Sequence, residues 1–221
     1  MSGAIPFLAA RTVETVTHVT DRRSNPFGID YPCERAVPGY GDVDADFHVV
    51  GESPGVHGGA AAGVPFTDAP AGQRLQTALY AGGLLSATGT PPDTDGTYLS
   101  YLYPCVDGEP TDAEFARLEP SFDAEIRAIT AHVLLPVGSR AIEHVVPTYT
   151  AHQSPDDPEH VHATELRGGG FLVVPVADPV GWSDAQERAL VARLREIQRT
   201  DYRREADLGR FLPGSDAYFV R

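Results

Sequence analysis

The sequence contains no lysine, one methionine, one tryptophan and two cysteines among its 221 residues. All 17 basic residues are therefore arginine. They are outnumbered by 31 aspartates and glutamates, and the formal net charge is −14. Two thiols are too few to form a zinc or iron–sulfur site from cysteine alone. No apolar run approaches the length of a membrane span, so no transmembrane helix is predicted.

The acid-rich, lysine-free composition is typical of proteins from extreme halophiles. Abundant carboxylates keep a surface hydrated at high salt, where screening removes much of their mutual repulsion. An ordinary acidic protein is the other interpretation. Acidic chains are usually poor candidates for nucleic-acid binding. Molar salt also weakens the attraction between phosphates and cations, so in a halophile the charge does not exclude DNA as a partner.

The two cysteines and the N-terminus give an expectation about location. Residues 1–10 are apolar but lack a basic start and a long hydrophobic segment, so no signal peptide is predicted and the cytoplasm is expected. Cys33 and Cys105 lie far apart and do not form a CxxC pair. Because disulfides are rare in the cytosol, both cysteines are predicted to be free or buried.

Apolar runs alternate with amphipathic segments along the chain. This alternation predicts an α/β protein in which a four-stranded, mainly parallel sheet lies between two layers of helices. The length and the 42% hydrophobic content fit one domain over residues 1–221, with an N-terminal helix and wrapping loop in 1–44 and a tail in 201–221. A polar excursion covers residues 148–170. The predicted strands are 44–50, 97–103, 133–138 and 171–176, and the predicted helices are 70–85, 111–132, 139–146 and one that starts at the capping box of residues 183–186.

One stretch, Phe47 to Gly55, combines a buried strand with a tight turn that carries a single carboxylate, Glu52. Proline fixes φ and glycine permits positive φ, so Ser53-Pro54-Gly55 forces the turn. In parallel α/β folds the functional site lies at the carboxyl ends of the strands. The loops 52–66, 101–107, 138–139 and 178–182 are therefore expected to converge around Glu52.

Several of these loops resemble motifs of the uracil-DNA glycosylase superfamily. Gly51-Glu52-Ser53-Pro54-Gly55, then Gly63-Val64-Pro65-Phe66 and Ala71-Gly72-Gln73, is most similar to the first motif of its thermostable iron–sulfur branch. Residues 58–66 also resemble the mismatch-specific and single-strand-selective branches. Segments 97–105, 111–122, 133–142 and 174–179 continue the resemblance in the family's order, so that it covers about residues 25–200.

The resemblance implies a base-excision repair enzyme that hydrolyses the N-glycosidic bond of a deaminated base flipped out of DNA, without a nucleotide cofactor. A monomer is expected. Glu52 would orient water and balance the positive charge of the transition state. Phe66 would stack on the base, and backbone N–H groups of the Gly-rich turns would hold phosphates. The resemblance assigns Glu52 and Asp178 to catalysis, and Gly51, Ser53, Pro54, Gly55, Phe66, Tyr101, Gly138, Ser139 and Pro179 to substrate binding.

The sequence departs from the family at key positions. The family's base-reading asparagine falls on Tyr101, whose phenol cannot reproduce the paired hydrogen bonds of an amide. The family's histidine falls on Asp178, which when ionised only accepts hydrogen bonds. Cys105 matches one cluster cysteine but the next falls on Leu118, so the iron–sulfur cluster is predicted to be absent.

These departures leave two other functions open. A non-catalytic or specificity-altered DNA- or nucleotide-binding homologue would keep the fold without the histidine and asparagine. A hydrolase acting on a nucleoside-like small molecule is the third hypothesis.

Two polar clusters have competing interpretations. His160 and His162 lie beside acidic residues 156, 157 and 159, but no third ligand is evident and no metal site is predicted. The C-terminal arginines either face DNA or form a solvated, ion-paired surface, and the interleaved carboxylates favour the ion-paired surface. These arginines are Arg188, Arg193, Arg195, Arg199, Arg203 and Arg204.

Overall fold

The structure, a computed structural model, describes residues 23–203 except 107 and 109. The helix predicted near the N-terminus and the tail after residue 203 lie outside the described residues. The strands are β1 (Tyr40–Gly41), β2 (Phe47–Gly51), β3 (Leu85–Ala87), β4 (Asp93–Thr94), β5 (Thr97–Tyr101), β6 (Val133–Pro136), β7 (Leu166–Gly168) and β8 (Phe171–Val173). The helices are α1 (Pro54–His57), α2 (Pro70–Gly82), α3 (Asp112–Ile129), α4 (Ser139–Tyr149) and α5 (Asp184–Ile197).

A six-stranded sheet with the order β1-β5-β2-β6-β8-β7 forms the centre of the fold. The four middle strands are mutually parallel, and β1 and β7 add one antiparallel strand at each edge. The predicted α/β architecture with a mainly parallel sheet is therefore confirmed, and the two edge strands extend it. All five residues of β2 are buried, as expected for a strand covered on both faces.

Helices cover the two faces of the sheet, because successive strand residues point to opposite sides. Val49 of β2 belongs to the core formed with α2 and α5, and Val50 belongs to the core formed with α3 and α4. The first core includes Leu75, Leu79, Leu190 and Leu194. The second includes Phe122, Ile126, Ile142 and Val145. The three predicted layers follow from this division.

Local signals correctly predicted where the longer helices begin. α3 starts at a capping box formed by Thr111 and Glu114, and α5 starts at one formed by Ser183 and Gln186. Pro120 lies inside α3, which runs through it as one helix. The excursion 148–170 contains the end of α4, a 3-10 helix at Pro158–Val161 and the edge strand β7.

The two cysteines form a disulfide, so the prediction that they are free is wrong, although Cys105 is buried as expected. The chain around Cys33 runs antiparallel to the chain around Cys105, with a bridge between Ala36 and Cys105. The N–H of Val37 donates to the carbonyl of Pro104 at 2.8 Å. This tertiary pairing joins segments 72 residues apart, which sequence spacing could not show. Among the described residues, no helix is long and apolar enough to cross a membrane.

A buried polar cluster lies between the sheet and α3. His48 Nε2 is 2.8 Å from Ser100 Oγ, and the Tyr98 hydroxyl donates to Glu125 Oε2 at 3.1 Å. Burial raises the pKa of Glu125 from 4.5 to about 7, and it lowers the pKa of His48 to about 3. A neutral carboxyl and a neutral imidazole are thus the forms that the core accommodates at moderate pH.

We predict that Glu125→Gln removes one component of the pH dependence of stability. In the unfolded chain this carboxyl ionises above pH 4.5, whereas in the folded chain it keeps its proton until about pH 7. The contribution of Glu125 to the free energy of unfolding therefore falls by about 3 kcal/mol between these two pH values. Glutamine keeps the shape and does not titrate. Chemical denaturation from pH 4 to 8 should give the free energy of unfolding of both proteins as a function of pH. The two curves should lie close together at low pH, where both side chains are neutral. As the pH rises, they should separate, with the variant becoming the more stable protein relative to wild type.

Because His48 titrates in the same range with the opposite sign, only the difference between the two proteins isolates Glu125. If the stability curves of the two proteins ran parallel over this pH range, they would contradict the raised pKa of Glu125.

Candidate functional site

The carboxyl ends of the parallel strands bring the predicted loops together. Gly51, the last residue of β2, pairs with Tyr101 at the end of β5. On the other side, the N–H of Gly138 donates to the carbonyl of Val176 at 2.9 Å. The turns after β2 and β6 and the segment after β8 therefore start at the same edge, as the topological rule predicts.

Glu52 is held at three points directly after β2. Its main-chain N–H donates to His57 Nδ1 at 3.2 Å, and its carbonyl accepts from the N–H of Tyr103 at 3.0 Å. Its Oε1 accepts from the N–H of Arg140 at 2.9 Å, in the first turn of α4. A helix N-terminus stabilises a carboxylate through its unpaired N–H groups and its dipole.

The carboxylate of Glu52 has an unusual electrostatic setting. The side chain is half-buried, and burial is the main reason that its pKa is raised. The Arg140 N–H opposes this rise, and the nearby charge of Asp178 adds to it. Within the described part of the chain, Oε2 has no hydrogen-bond partner. One oxygen is thus fixed and the other is available to orient water or to face a positive charge.

Gly138 gives the Glu52 carboxylate its space. Its φ is +88°, and a Cβ at this position would lie 2.4 Å from Glu52 Oε1. No larger residue fits without moving the carboxylate. The neighbouring Ser139 is exposed at the start of α4. Gly138 is therefore part of the site because its main chain lies close to the Glu52 carboxylate.

We predict that Gly138→Ala destabilises the protein by about 1–3 kcal/mol, because the backbone conformation is strained for alanine and the methyl group collides with Glu52. Gly96→Ala is the control, since Gly96 also has positive φ but a Cβ there meets nothing within 4 Å. In a double-mutant cycle, Glu52→Ala should recover part of the loss in the Gly138→Ala background. Strictly additive effects would show that the two side chains do not collide.

Tyr101 and Phe66 form a closed support beneath the turn. The Tyr101 hydroxyl accepts from the N–H of Phe66 at 2.7 Å and donates to the carbonyl of Gly58 at 2.8 Å. Both side chains are buried, and Phe66 presents no surface to solvent. A base could reach either ring only if residues 53–66 moved. The base contacts assigned to these two residues remain predictions.

We predict that Tyr101→Phe lowers the free energy of unfolding by about 2–4 kcal/mol, because it leaves the Phe66 N–H and the Gly58 carbonyl buried without their partner. Tyr80→Phe is the matched control, since Tyr80 is 55% exposed and surface changes of this kind have little effect. Equal stability of the Tyr101→Phe protein and the wild type in urea titration would disprove this supporting role.

The segment after β8 is braced around Asp178. The half-buried Asp178 accepts from the N–H of Val180 at 2.9 Å and begins a 3-10 turn at Pro179–Gly181. Trp182 Nε1 donates to the carbonyl of Ala177 at 2.9 Å. Pro179 is buried, whereas Val180 is 65% exposed, the largest fraction among the exposed large hydrophobic side chains that are described. The turn therefore displays an apolar side chain beside a carboxylate.

The two histidines considered for a metal do not act together. His162 Nδ1 accepts from the N–H of Ala177 at 3.0 Å, and Nε2 lies 2.9 Å from the carbonyl of Gln186. Burial lowers the pKa of His162. His160 instead pairs with Asp157 at 3.1 Å on the surface. His162 thus fixes the segment before Asp178.

The donor set does not fit an iron–sulfur cluster. Such a cluster requires four cysteine thiolates or a related set of ligands, and the two cysteines of the chain are bonded to each other. Across the described residues, no group of three or more His, Cys, Asp or Glu side chains could hold a metal ion.

The C-terminal arginines divide into two groups. Arg193 pairs with Glu165 at 2.7 Å, and Arg203 pairs with Asp46, which agrees with the predicted ion-paired surface. Arg188, Arg195 and Arg199 form no ion pair in the part of the chain that the structure describes. Arg204 lies outside the described residues. The ion-paired interpretation thus holds for one part of this set.

His57 is a site residue that the sequence analysis missed. Its imidazole is fully buried, 5.6 Å from the Phe66 ring and parallel to the Tyr101 ring at 6.4 Å. Burial lowers its pKa to about 4, and Asp178 partly offsets that effect. The only sequence signal is a histidine five residues after Glu52, in a Gly-rich turn without periodicity.

Comparison with known proteins agrees with this geometry. The sequence model of the uracil DNA glycosylase superfamily matches residues 38–198. A curated relative, the Type-5 uracil-DNA glycosylase of Thermus thermophilus, is 28% identical over 175 residues, which cover 76% of this chain and 78% of that protein. The matched region includes every strand of the central sheet and the four loops expected to converge around Glu52.

Proposed function

Because the chain belongs to the uracil DNA glycosylase superfamily, we propose that it hydrolyses the N-glycosidic bond of a deaminated base flipped out of DNA. The observation that carries this proposal is the Glu52 carboxylate, fixed by the first turn of α4 with one oxygen free. The Thermus relative, named as a uracil-DNA glycosylase, supports uracil as the first base to test. We further propose that the protein acts as a single-domain monomer in the cytoplasm.

The proposed reaction requires a negative charge on the sugar side. As the bond between the base nitrogen and C1′ breaks, the base leaves with the bonding electrons and positive charge develops on the sugar. Glu52 stabilises this charge and orients a water molecule. The water oxygen bonds to C1′ and its proton passes to the carboxylate. The departing base takes up a proton from solvent, and Glu52 then releases its proton to solvent.

Asp178 suits the sugar better than the base. An ionised carboxylate only accepts hydrogen bonds and would repel the charge developing on the leaving base. Its charge already raises the pKa of Glu52, so the two carboxylates share one negative region. We assign Asp178 to the stabilisation of the sugar cation, and we assign the backbone N–H groups of Ser53 and Gly55 to phosphate contacts.

The exposed side chain of Val180 is suited to insertion between stacked bases of DNA. Proteins that unstack DNA insert apolar side chains between base steps, and flipping a base leaves a gap of this kind. Val180 is exposed on a turn whose conformation Asp178 fixes. We propose that Val180 enters the stack while the flipped base approaches Glu52.

A non-catalytic DNA- or nucleotide-binding function is the second candidate. The buried Phe66 ring and the two occupied hydrogen bonds of Tyr101 favour it, because they leave the usual base-reading positions closed. Binding without base release would distinguish this function from the first.

The test is base release from oligonucleotides that contain uracil, hypoxanthine or xanthine, assayed in molar KCl. We predict that Glu52→Gln lowers the single-turnover rate by about 10²-fold or more, while the affinity for DNA stays within a few fold. Because Glu52 acts as the anion and its pKa is raised, wild-type activity should fall as the pH drops through that raised pKa.

Glu143→Gln is the matched control, because Glu143 is an exposed carboxylate whose charge also raises the pKa of Glu52. This variant should keep its maximal rate and shift the acid limb of the pH profile to lower pH. Absence of release from all three substrates, with DNA binding retained, would favour the second candidate. Release that is unchanged in Glu52→Gln would remove Glu52 from the mechanism.

A further inference from the structure

We infer that His57 is a positioning residue, which holds Glu52 in place by accepting its main-chain hydrogen bond. The inference rests on the proposed function, in which Glu52 carries the chemistry. His57 ends the single turn of α1, and its ring folds back over five residues to the start of that turn. The 3.2 Å bond from the Glu52 N–H to Nδ1 closes this loop.

The bond to His57 restrains a different atom of Glu52 from the other two hydrogen bonds. The Tyr103 N–H holds the carbonyl of Glu52, and the Arg140 N–H holds Oε1. The peptide group that precedes Glu52 lies where the strand ends and the turn begins. Its Gly51 carbonyl accepts from the N–H of Leu102 at 2.9 Å. Its Glu52 N–H donates to His57, which is the only acceptor for it among the described residues. The imidazole therefore completes the restraint of the peptide group from which the Glu52 side chain extends.

The imidazole is in turn held by neighbours from two other segments. Tyr101 donates to the carbonyl of Gly58, the residue after His57, and its ring lies parallel to the imidazole. Phe66 packs against the same ring from the following loop. The path of contacts thus runs from β5 through Tyr101 and His57 to Glu52.

The protonation state of the ring has an energetic cost. An imidazole that accepts at Nδ1 carries its proton at Nε2. His57 Nε2 is buried and has no partner among the described residues. A buried donor without a partner is destabilising, and this cost accompanies the bond that Nδ1 accepts from Glu52. An apolar side chain of similar size would remove the cost at Nε2 but would leave the Glu52 N–H without its acceptor.

Two substitutions distinguish the role of Nδ1 from that of Nε2. In His57→Asn the amide oxygen stands where Nδ1 stood, so the bond from the Glu52 N–H can form. In His57→Gln the amide lies one carbon further out, near the position of Nε2. We predict that His57→Asn keeps kcat for uracil release within about tenfold of wild type. His57→Gln should lose about 10²-fold in kcat with little change in KM.

A second readout reports the hydrogen bond without activity. Hydrogen exchange followed by NMR should show the Glu52 amide protected in wild type and in His57→Asn, and at least tenfold less protected in His57→Gln. The control pair is His144→Asn and His144→Gln on α4; His144 Nε2 is likewise buried without a partner, and neither change should affect the Glu52 amide or kcat.

The outcomes separate the inference from the proposed function. Greater activity in His57→Gln than in His57→Asn would show that Nε2 is the important nitrogen and would overturn the inference. Equal losses in both variants, or equal protection of the Glu52 amide, would reduce His57 to a packing residue and overturn it too. If wild type releases no base, the proposed function and any catalytic role of His57 fall together, while the exchange data still decide whether His57 holds the Glu52 turn.

Discussion

The parallel pairing of β2 with strands on both sides is the constraint on which the site depends. The register places Gly51 beside Tyr101 and Val50 beside Pro136, so the turn after β2 emerges between the ends of β5 and β6. A shift by one residue would turn each β2 side chain to the other face and exchange its two cores. The position of Glu52 next to α4 is thus a consequence of burying the whole strand.

The site combines a fixed anion with closed surroundings. Glu52 is anchored to the main-chain N–H groups of Tyr103, which follows β5, and of Arg140 in α4, whereas Tyr101, Phe66 and His57 fill the space beneath it with rings. The bonds from Tyr103 and Arg140 come from main-chain groups, so they do not depend on which side chains those two residues carry. Tyr101 and Asp178, which stand where the resemblance places the family's asparagine and histidine, take part in neither bond.

The sequence predicted those features that depend on local patterns and on general rules of topology. The run at β2, the capping boxes of α3 and α5, and the proximity of Glu52 to Gly138 all follow from residues near in sequence or from the rule for parallel sheets. The disulfide, the two-residue strand β1 and the bond from Glu52 to His57 could not be predicted in this way. Each depends on how distant or irregular segments meet, and neither periodicity nor composition records such contacts.

The short edges of the sheet have a consequence for how copies of this protein meet. β1 offers two residues and β7 three, and β7 ends at a glycine with positive φ. An edge this brief presents few free N–H and C=O groups to an approaching strand. The long parallel strands most able to template such pairing are enclosed in the middle of the sheet. Resistance to strand-mediated aggregation is therefore part of the fold itself, and it would persist in high salt, where repulsion between acidic surfaces is weak.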